Sequence, residues 1–308
     1  MVNLYFAIIY GCNQKCLGCP CGKNSFKGQK LSLDDIKTKI KPFIDKNERI
    51  YVTLSGGEPL LHDEIFDILD YFKENNIYTT LLTNAEKLYD IKFAYELSKH
   101  IDKNRFQIIT TIHSSVAETH ESQNLSKGSF NKSINGLLNI HYYGIKIVIK
   151  HCITKVNYKD TSNFIKLMDE LFDPSVAFEL WGIDYCGLTK ENALSLYVDY
   201  KELKTYLEIA LDYYIETQSL YNRKLTLHNI PLCWVDPYYW NLFNLVNQNK
   251  NYNYYGDPTF NTNNVIDNAG KYSTRCKKCD VYEICSGTYK TLFEYFGDDV
   301  VSEVKKYM

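Results

Sequence analysis

No stretch of this 308-residue sequence stays apolar long enough to cross a bilayer. Residues 2 to 10 come nearest, and they fall well short of the roughly 20 that a spanning helix needs. They also lack the cationic start and cleavage site of an export signal. A charge excess is missing as well. The 35 basic and 37 acidic residues leave a formal charge of -2, which gives no electrostatic pull toward nucleic acid. Neither a membrane nor a nucleic acid is therefore expected as a partner. What remains is ordinary globular composition, 45% hydrophobic and 23% charged, at a length that suits one barrel-sized domain and a smaller addition. Cysteine is plentiful, at ten. With no export signal, the groupings C-x3-C-x2-C and C-x2-C-x5-C read as metal ligands in a reducing cytoplasm rather than as disulfides.

The chain is organised around Gly11-Cys12-Asn13-Gln14-Lys15-Cys16-Leu17-Gly18-Cys19-Pro20, which follows the apolar run Leu4 to Ile9. Soft thiolates select iron-sulfur clusters, zinc or cuprous copper over hard cations. A four-iron cubane usually takes four thiolates. Cys12, Cys16 and Cys19 would leave one iron open for a reacting ligand, as a catalytic zinc keeps a free position. A zinc knuckle completed by Cys21 is the competing reading.

From residue 4 to about 181, short β-rich runs alternate with longer helical patterns, the mark of a parallel sheet with crossover helices. Strands are expected near 4–9, 50–54, 77–82, 105–112, 145–152 and 176–181. Helices are expected from Ser32, from His62, and over 87–99, 131–143 and 160–172. Ser32 suits an N-cap, Asp34 and Asp35 suit a first turn, and Pro42 should kink or stop that helix. Six strands with their helices make a partial (β/α)6 barrel, whose sites lie at the C-terminal strand ends. The chemically unusual residues fall there: the cysteine trio, Gly56-Gly57-Glu58, Thr83-Asn84, His113-Ser114, Asn157, and Asp184 to Cys186. Residues 113–130 form a connection long enough to hold a short helix or to line a substrate path.

The cysteine trio after one strand and Gly56-Gly57-Glu58-Pro59 after the next together resemble the radical S-adenosylmethionine (SAM) superfamily. The resemblance implies a [4Fe-4S] cluster whose open iron chelates the amino and carboxylate groups of SAM. One electron then cleaves SAM to methionine and a 5′-deoxyadenosyl radical, which takes a hydrogen atom from a substrate. It further implies that the Gly56-Gly57 backbone accepts the SAM ammonium group, with Glu58 joining that contact or anchoring the loop. Thr83, Asn84, Ser114 and Asn157 match family positions that touch ribose, carboxylate or adenine, and each also suits capping of the next helix. Gly18 stands where the family usually has an aromatic residue; the main-chain contact with adenine made there needs no ring.

Past Gly187 the barrel pattern stops, and residues 198–217 read as an amphipathic bridging helix. The expected division is a barrel over 1–190, a bridge over 191–224 and a small module over 225–308. That module offers Cys233, Cys276, Cys279 and Cys285. Its C-x2-C-x5-C resembles the core of the SPASM and twitch modules of the superfamily, which hold auxiliary [4Fe-4S] clusters. No cysteine follows Cys285 and the upstream G-x4-C hairpin is missing, which excludes the two-cluster version. One auxiliary cluster on these four thiolates, or a structural zinc, is left. The aromatic run Trp234, Tyr238, Tyr239, Trp240, Phe243, Tyr252, Tyr254 and Tyr255 either covers this module or lines a peptide groove. Cys152 reads as a small buried hydrophobe. Cys186 either returns a hydrogen atom to a substrate radical or packs inertly.

Taken together, the resemblance implies a radical SAM enzyme that crosslinks, epimerises or oxidises a peptide or protein, with a reductant such as flavodoxin or ferredoxin. With the first strand at the start of this sequence, a fused leader-binding domain is not expected, and a separate leader-recognition protein is an expected partner. Two rivals stand beside this reading. One is a small-molecule enzyme resembling the GTP cyclase of molybdenum-cofactor synthesis, whose paired terminal glycines are replaced here by Val304-Lys305-Lys306-Tyr307-Met308. The other is a zinc-binding interaction protein.

Overall fold

The computed structural model describes residues 1–22, 30–243, 252–256 and 269–305. Parts of the expected C-terminal module, residues 244–251, 257–268 and 306–308, lie outside them. The described strands are β1 (Val2–Ile9), β2 (Ile50–Gly56), β3 (Tyr78–Leu82), β4 (Phe106–Thr111), β5 (Lys146–Cys152), β6 (Ala177–Trp181), β7 (Leu225–His228) and β8 (Tyr252–Tyr255). They form one parallel sheet in the order β7-β6-β5-β4-β3-β2-β1-β8. The six strands expected from sequence are the central ones. The two edge strands come from the stretch assigned to a separate module, so part of that stretch extends the barrel sheet. Aromatic contacts fasten β8 to β1. Phe6 stacks on Tyr255 with ring centroids 4.9 Å apart, and the hydroxyls of Tyr10 and Tyr254 are 2.8 Å apart.

Alternation builds the sheet's two faces. Leu4, Phe6 and Ile8 of β1 are fully buried, whereas Asn3 and Tyr5 point to the opposite, half-buried face. The buried face is covered by α1 (Leu33–Ile44), α2 (Ile65–Glu74), α3 (Ile91–Lys99), α5 (Ser129–Tyr142) and α6 (Thr161–Leu171), while the polar α4 (Ala117–Asn124) lies in the connection between β4 and α5. Ser32 and Asp35 form a capping box on α1, which runs on through Pro42 and stops two residues later, at Ile44. The helix expected over 87–99 is split. Asp90 ends a 3-10 turn over Glu86–Tyr89 and caps α3 by accepting from Lys92 N.

Two short helices, α7 (Leu188–Glu191) and α8 (Ala193–Leu196), lead to the long α9 (Tyr200–Tyr221), which packs on α6. Just past it, the buried Arg223 guanidinium pairs with Asp169 at 2.7 Å and donates to the carbonyls of Phe172, Asp173 and Val176. That buried pair fixes the entry to β7 against α6. The last described α-helix is α10 (Lys290–Phe296). Among the described residues no helix is long and apolar enough to cross a membrane.

Two buried histidines give the fold a pH dependence. His151 stacks on Phe164 with centroids 4.3 Å apart, and His120 accepts from His113 N at 3.1 Å. Burial pushes both down to about 4 from the ordinary 6.5. Between those values the unfolded chain binds protons that the native chain refuses, so stability rises with pH across that window and is lost as pH falls through it. The melting temperature is therefore expected to drop between pH 7 and 4. His151→Phe should flatten part of that slope; parallel wild-type and variant curves would contradict the assignment.

Candidate active site

The cysteine loop leaves β1 and is tied down at several points. Lys15 N and Leu17 N donate to the carbonyls of Asn124 and Gln123 at 3.0 and 2.8 Å, so the loop caps the free carbonyl end of α4. Gln14 Nε2 donates to Glu86 at 2.8 Å, and Asn84 Nδ2 to Asn13 Oδ1 at 2.8 Å. Cys19 N closes a turn on Cys16 O at 3.2 Å, and Gln14 N lies 3.4 Å from the Cys12 sulfur. Burial pushes the Cys12 thiol up to about 12 and the Cys16 thiol higher, and the thiols raise one another further. Taking up a metal here would thus release protons.

The glycine pair lies directly against this loop. Gly57 N donates to Ile9 O at 2.6 Å and Glu58 N to Gly11 O at 2.8 Å. A Cβ on Gly56, whose φ is 121°, would sit 2.1 Å from Ile9 O; one on Gly57 would sit 2.1 Å from Gly11 O. Backbone contact this close excludes any side chain at either position. Cys21 is buried, and its thiol donates to Gly56 O at 3.0 Å, which ties the far end of the cysteine loop to the same segment.

Glu58 is an anchor. Its Oε1 accepts from Thr83 Oγ1 at 2.7 Å and from Leu60 N at 2.9 Å, and its Oε2 from Asn84 N at 2.7 Å. Its pKa is nevertheless raised, because complete burial outweighs those three bonds. Thr83 is thereby occupied, while Asn84 bridges to the cysteine loop. Ser114 Oγ donates to Asp160 at 2.5 Å and accepts from Val116 N. Asn157 accepts from Thr154 N and donates to the carbonyls of His113 and Cys152. Both side chains brace the ends of β4 and β5. Gln14, Glu86, Gln123 and Asp160, which do much of this fastening, carry no motif or periodic pattern that would single them out in the sequence.

The loop after β6 closes the mouth. Gly187, at φ 56°, lies against Pro20 O, and Leu188 N donates to Cys19 O at 2.9 Å. Cys186 is thus brought beside the cysteine loop, and burial with Asp184 next to it holds its thiol protonated. Thr291 of α10 bonds Asp184 Oδ1 at 2.5 Å, which joins the C-terminal segment to the same rim.

Cys233, Cys276, Cys279 and Cys285 line one cavity, about 350 Å³ of space open in part to solvent, with Val281, Tyr282 and Phe293 in its wall. Each sulfur has a polar neighbour. Ser302 N serves Cys233, Val304 N lies 3.4 Å from Cys279, Gly287 N lies 3.4 Å from Cys285, and the Ser273 hydroxyl is 3.7 Å from Cys276. Such hydrogen bonds to sulfur suit thiolates on a cluster and tune its potential. Among the described residues no three His, Cys, Asp or Glu side chains converge tightly enough for a single metal ion. A cubane spreads its thiolates over separate irons. Of the aromatic run, Trp234, Tyr239 and Phe243 are buried, as covering residues would be, while Tyr238 is exposed.

The parallel barrel sheet thus carries three loop thiols and a glycine pair at the C-terminal ends of its first two strands. The family model for the Radical SAM superfamily matches residues 6–171, and the chain belongs to that superfamily. Membership implies a [4Fe-4S] cluster and SAM. The chain is 24% identical over 168 residues to the Fe-coproporphyrin III synthase of Methanosarcina barkeri, covering 54% of this chain and 41% of that protein. It is 23% identical over 171 residues to the mycofactocin maturase MftC of Mycolicibacterium smegmatis, covering 54% and 41%. The chain thus spans about two fifths of the length of these curated relatives. Among solved structures, anSMEcpe with bound AdoMet superposes over 98% of this chain and 93% of its own, at TM-score 0.64 and 18% identity. Streptococcus suis SuiB bound to its precursor peptide SuiA superposes over 98% and 74%, at TM-score 0.64 and 17% identity.

Proposed function

We propose that this chain is a radical SAM enzyme that modifies a peptide or protein beside an auxiliary [4Fe-4S] cluster, by crosslinking, epimerisation or side-chain oxidation. The observation that carries this reading is that Cys233, Cys276, Cys279 and Cys285 line one cavity, each sulfur with a polar neighbour. The superposition on SuiB, crystallised with a precursor peptide, supports the substrate class. A second reading, a porphyrin-type small molecule, draws on the match to the coproporphyrin synthase.

Cys12, Cys16 and Cys19 would hold the SAM cluster, and the Gly56-Gly57 backbone, free of side chains, would receive SAM's ammonium group. The cluster and SAM, when bound, supply a 5′-deoxyadenosyl radical. Around them Glu58 fixes the glycine segment to Thr83 and Asn84, while Ser114 and Asn157 hold the strand ends in place. Cys186, kept protonated, would offer a hydrogen atom at its sulfur to a substrate radical, leaving a thiyl radical that one electron from the reductant and one proton return to the thiol. A one-electron donor such as flavodoxin or ferredoxin, and a separate leader-recognition protein, complete the proposed partners; the proposed organisation is a barrel followed by a bridging helix and a cluster module.

Replacing Cys285 with alanine tests the auxiliary assignment. Iron is expected to fall from about eight to about four per chain, with SAM cleavage retained in part and product formation stopped. Unchanged iron content, or one zinc per chain in the wild type, would remove the auxiliary cluster from the proposal.

A further inference from the structure

The inner face of the sheet carries a group of side chains that the reactions above do not use. At the C-terminal ends of β5, β6 and β7, Lys150 Nζ lies 3.7 Å from the centre of the Trp181 ring, and the His228 imidazole stacks on that ring at 4.6 Å and 11°. Trp181 stands on the middle strand, flanked by the ammonium from β5 and the imidazole from β7. Glu179, the register partner of Lys150, is engaged elsewhere: it accepts Trp181 Nε1–H at 2.9 Å and lies 3.8 Å from His228 Nε2.

Among the described residues, Lys150 has no carboxylate within ion-pair reach. A half-buried ammonium without an anion is costly, and the indole face offsets only part of that cost. Its neighbour His151 stacks on Phe164 of α6, so by strand alternation Lys150 stands on the face of β5 turned away from the helices, near the strand's C-terminal end. We propose that Lys150, backed by Trp181 and His228, binds a carboxylate of the substrate at this wall formed by β5, β6 and β7. A single negative charge fits better than a phosphate, because Glu179 would repel a second one. That the carboxylate belongs to a peptide, as an acidic side chain, rests on the substrate reading above.

The test uses holoenzyme reconstituted with its clusters and SAM, as wild type, Lys150→Gln and Lys150→Arg. Three probes are titrated calorimetrically: N-acetyl-glutamate α-amide, its neutral analogue N-acetyl-glutamine α-amide, and glutarate. Wild type should bind the charged amide about tenfold or more tighter than the neutral one. Lys150→Gln should erase that preference and Lys150→Arg should restore much of it, with SAM affinity the same in all three. No preference in the wild type, or a preference that survives Lys150→Gln, overturns the proposal. Weakened SAM binding in Lys150→Gln with unchanged probe binding also overturns it, because the carboxylate held would then be SAM's own. Glutarate binding as tightly as the charged amide would support the carboxylate site while counting against a peptide substrate.

Discussion

Replacing Cys12, Cys16 or Cys19 with alanine is expected to reduce reductive SAM cleavage to the level of an enzyme-free blank. Each substitution removes one of the three thiolates that would hold the cluster, and with it the open iron to which SAM binds. The loss should not come from unfolding. The cysteine loop is fastened by its neighbours, through the Lys15 and Leu17 amides on α4, Gln14 on Glu86 and Asn13 on Asn84. Far-UV circular dichroism should therefore match the wild type while iron content falls. Normal turnover in any of these variants would refute the assignment of the trio.

Gly57→Ala should be nearly as severe for a different reason. The added methyl would sit 2.1 Å from Gly11 O and 2.6 Å from its carbonyl carbon, both backbone atoms that no rotamer change can move. Either the glycine segment or the start of the cysteine loop must then shift, and the Glu58 N to Gly11 O bond that joins them breaks. A displacement of about 1 Å between groups that must jointly position a reactant can cost on the order of 10²-fold in rate. Gly18→Ala provides the contrast, since its methyl meets only Thr189 Oγ1, at 3.8 Å. A clearly smaller loss is expected there. Both variants are scored by SAM affinity and by the rate of 5′-deoxyadenosine formation; equal losses would mean that close backbone approach at Gly57 is not what matters.

The residues legible in the sequence are those whose role is set by local spacing. The cysteine trio, the Gly56-Gly57 pair and the C-x2-C-x5-C stand out because each needs a particular residue type at a fixed offset. The central strands are legible because they bury one face and alternate along their length. What fastens these parts is not. Glu86 reaches back to Gln14, Asp160 to Ser114 and Gln123 to Thr154, each across dozens of residues, and a polar side chain in a loop gives no hint of so distant a partner. The edge strands carry little sequence signal for a related reason. Leu225–His228 and Tyr252–Tyr255 are four residues each, and β8 is built of tyrosine and asparagine rather than branched apolar residues. The 87–99 pattern had helical spacing throughout, yet Asp90 bonds the backbone two residues on and restarts the helix there. Lys150 and Trp181 read as ordinary strand residues until the fold lays the ammonium of one over the ring of the other.

The central expectation is that SAM is cleaved at this barrel mouth. Protein reconstituted anaerobically with iron and sulfide, mixed with SAM and a strong one-electron reductant, is assayed for 5′-deoxyadenosine by mass spectrometry. Steady release of 5′-deoxyadenosine with matching methionine is the predicted result. Intact SAM after prolonged reduction, with the cluster verified as present, would contradict it.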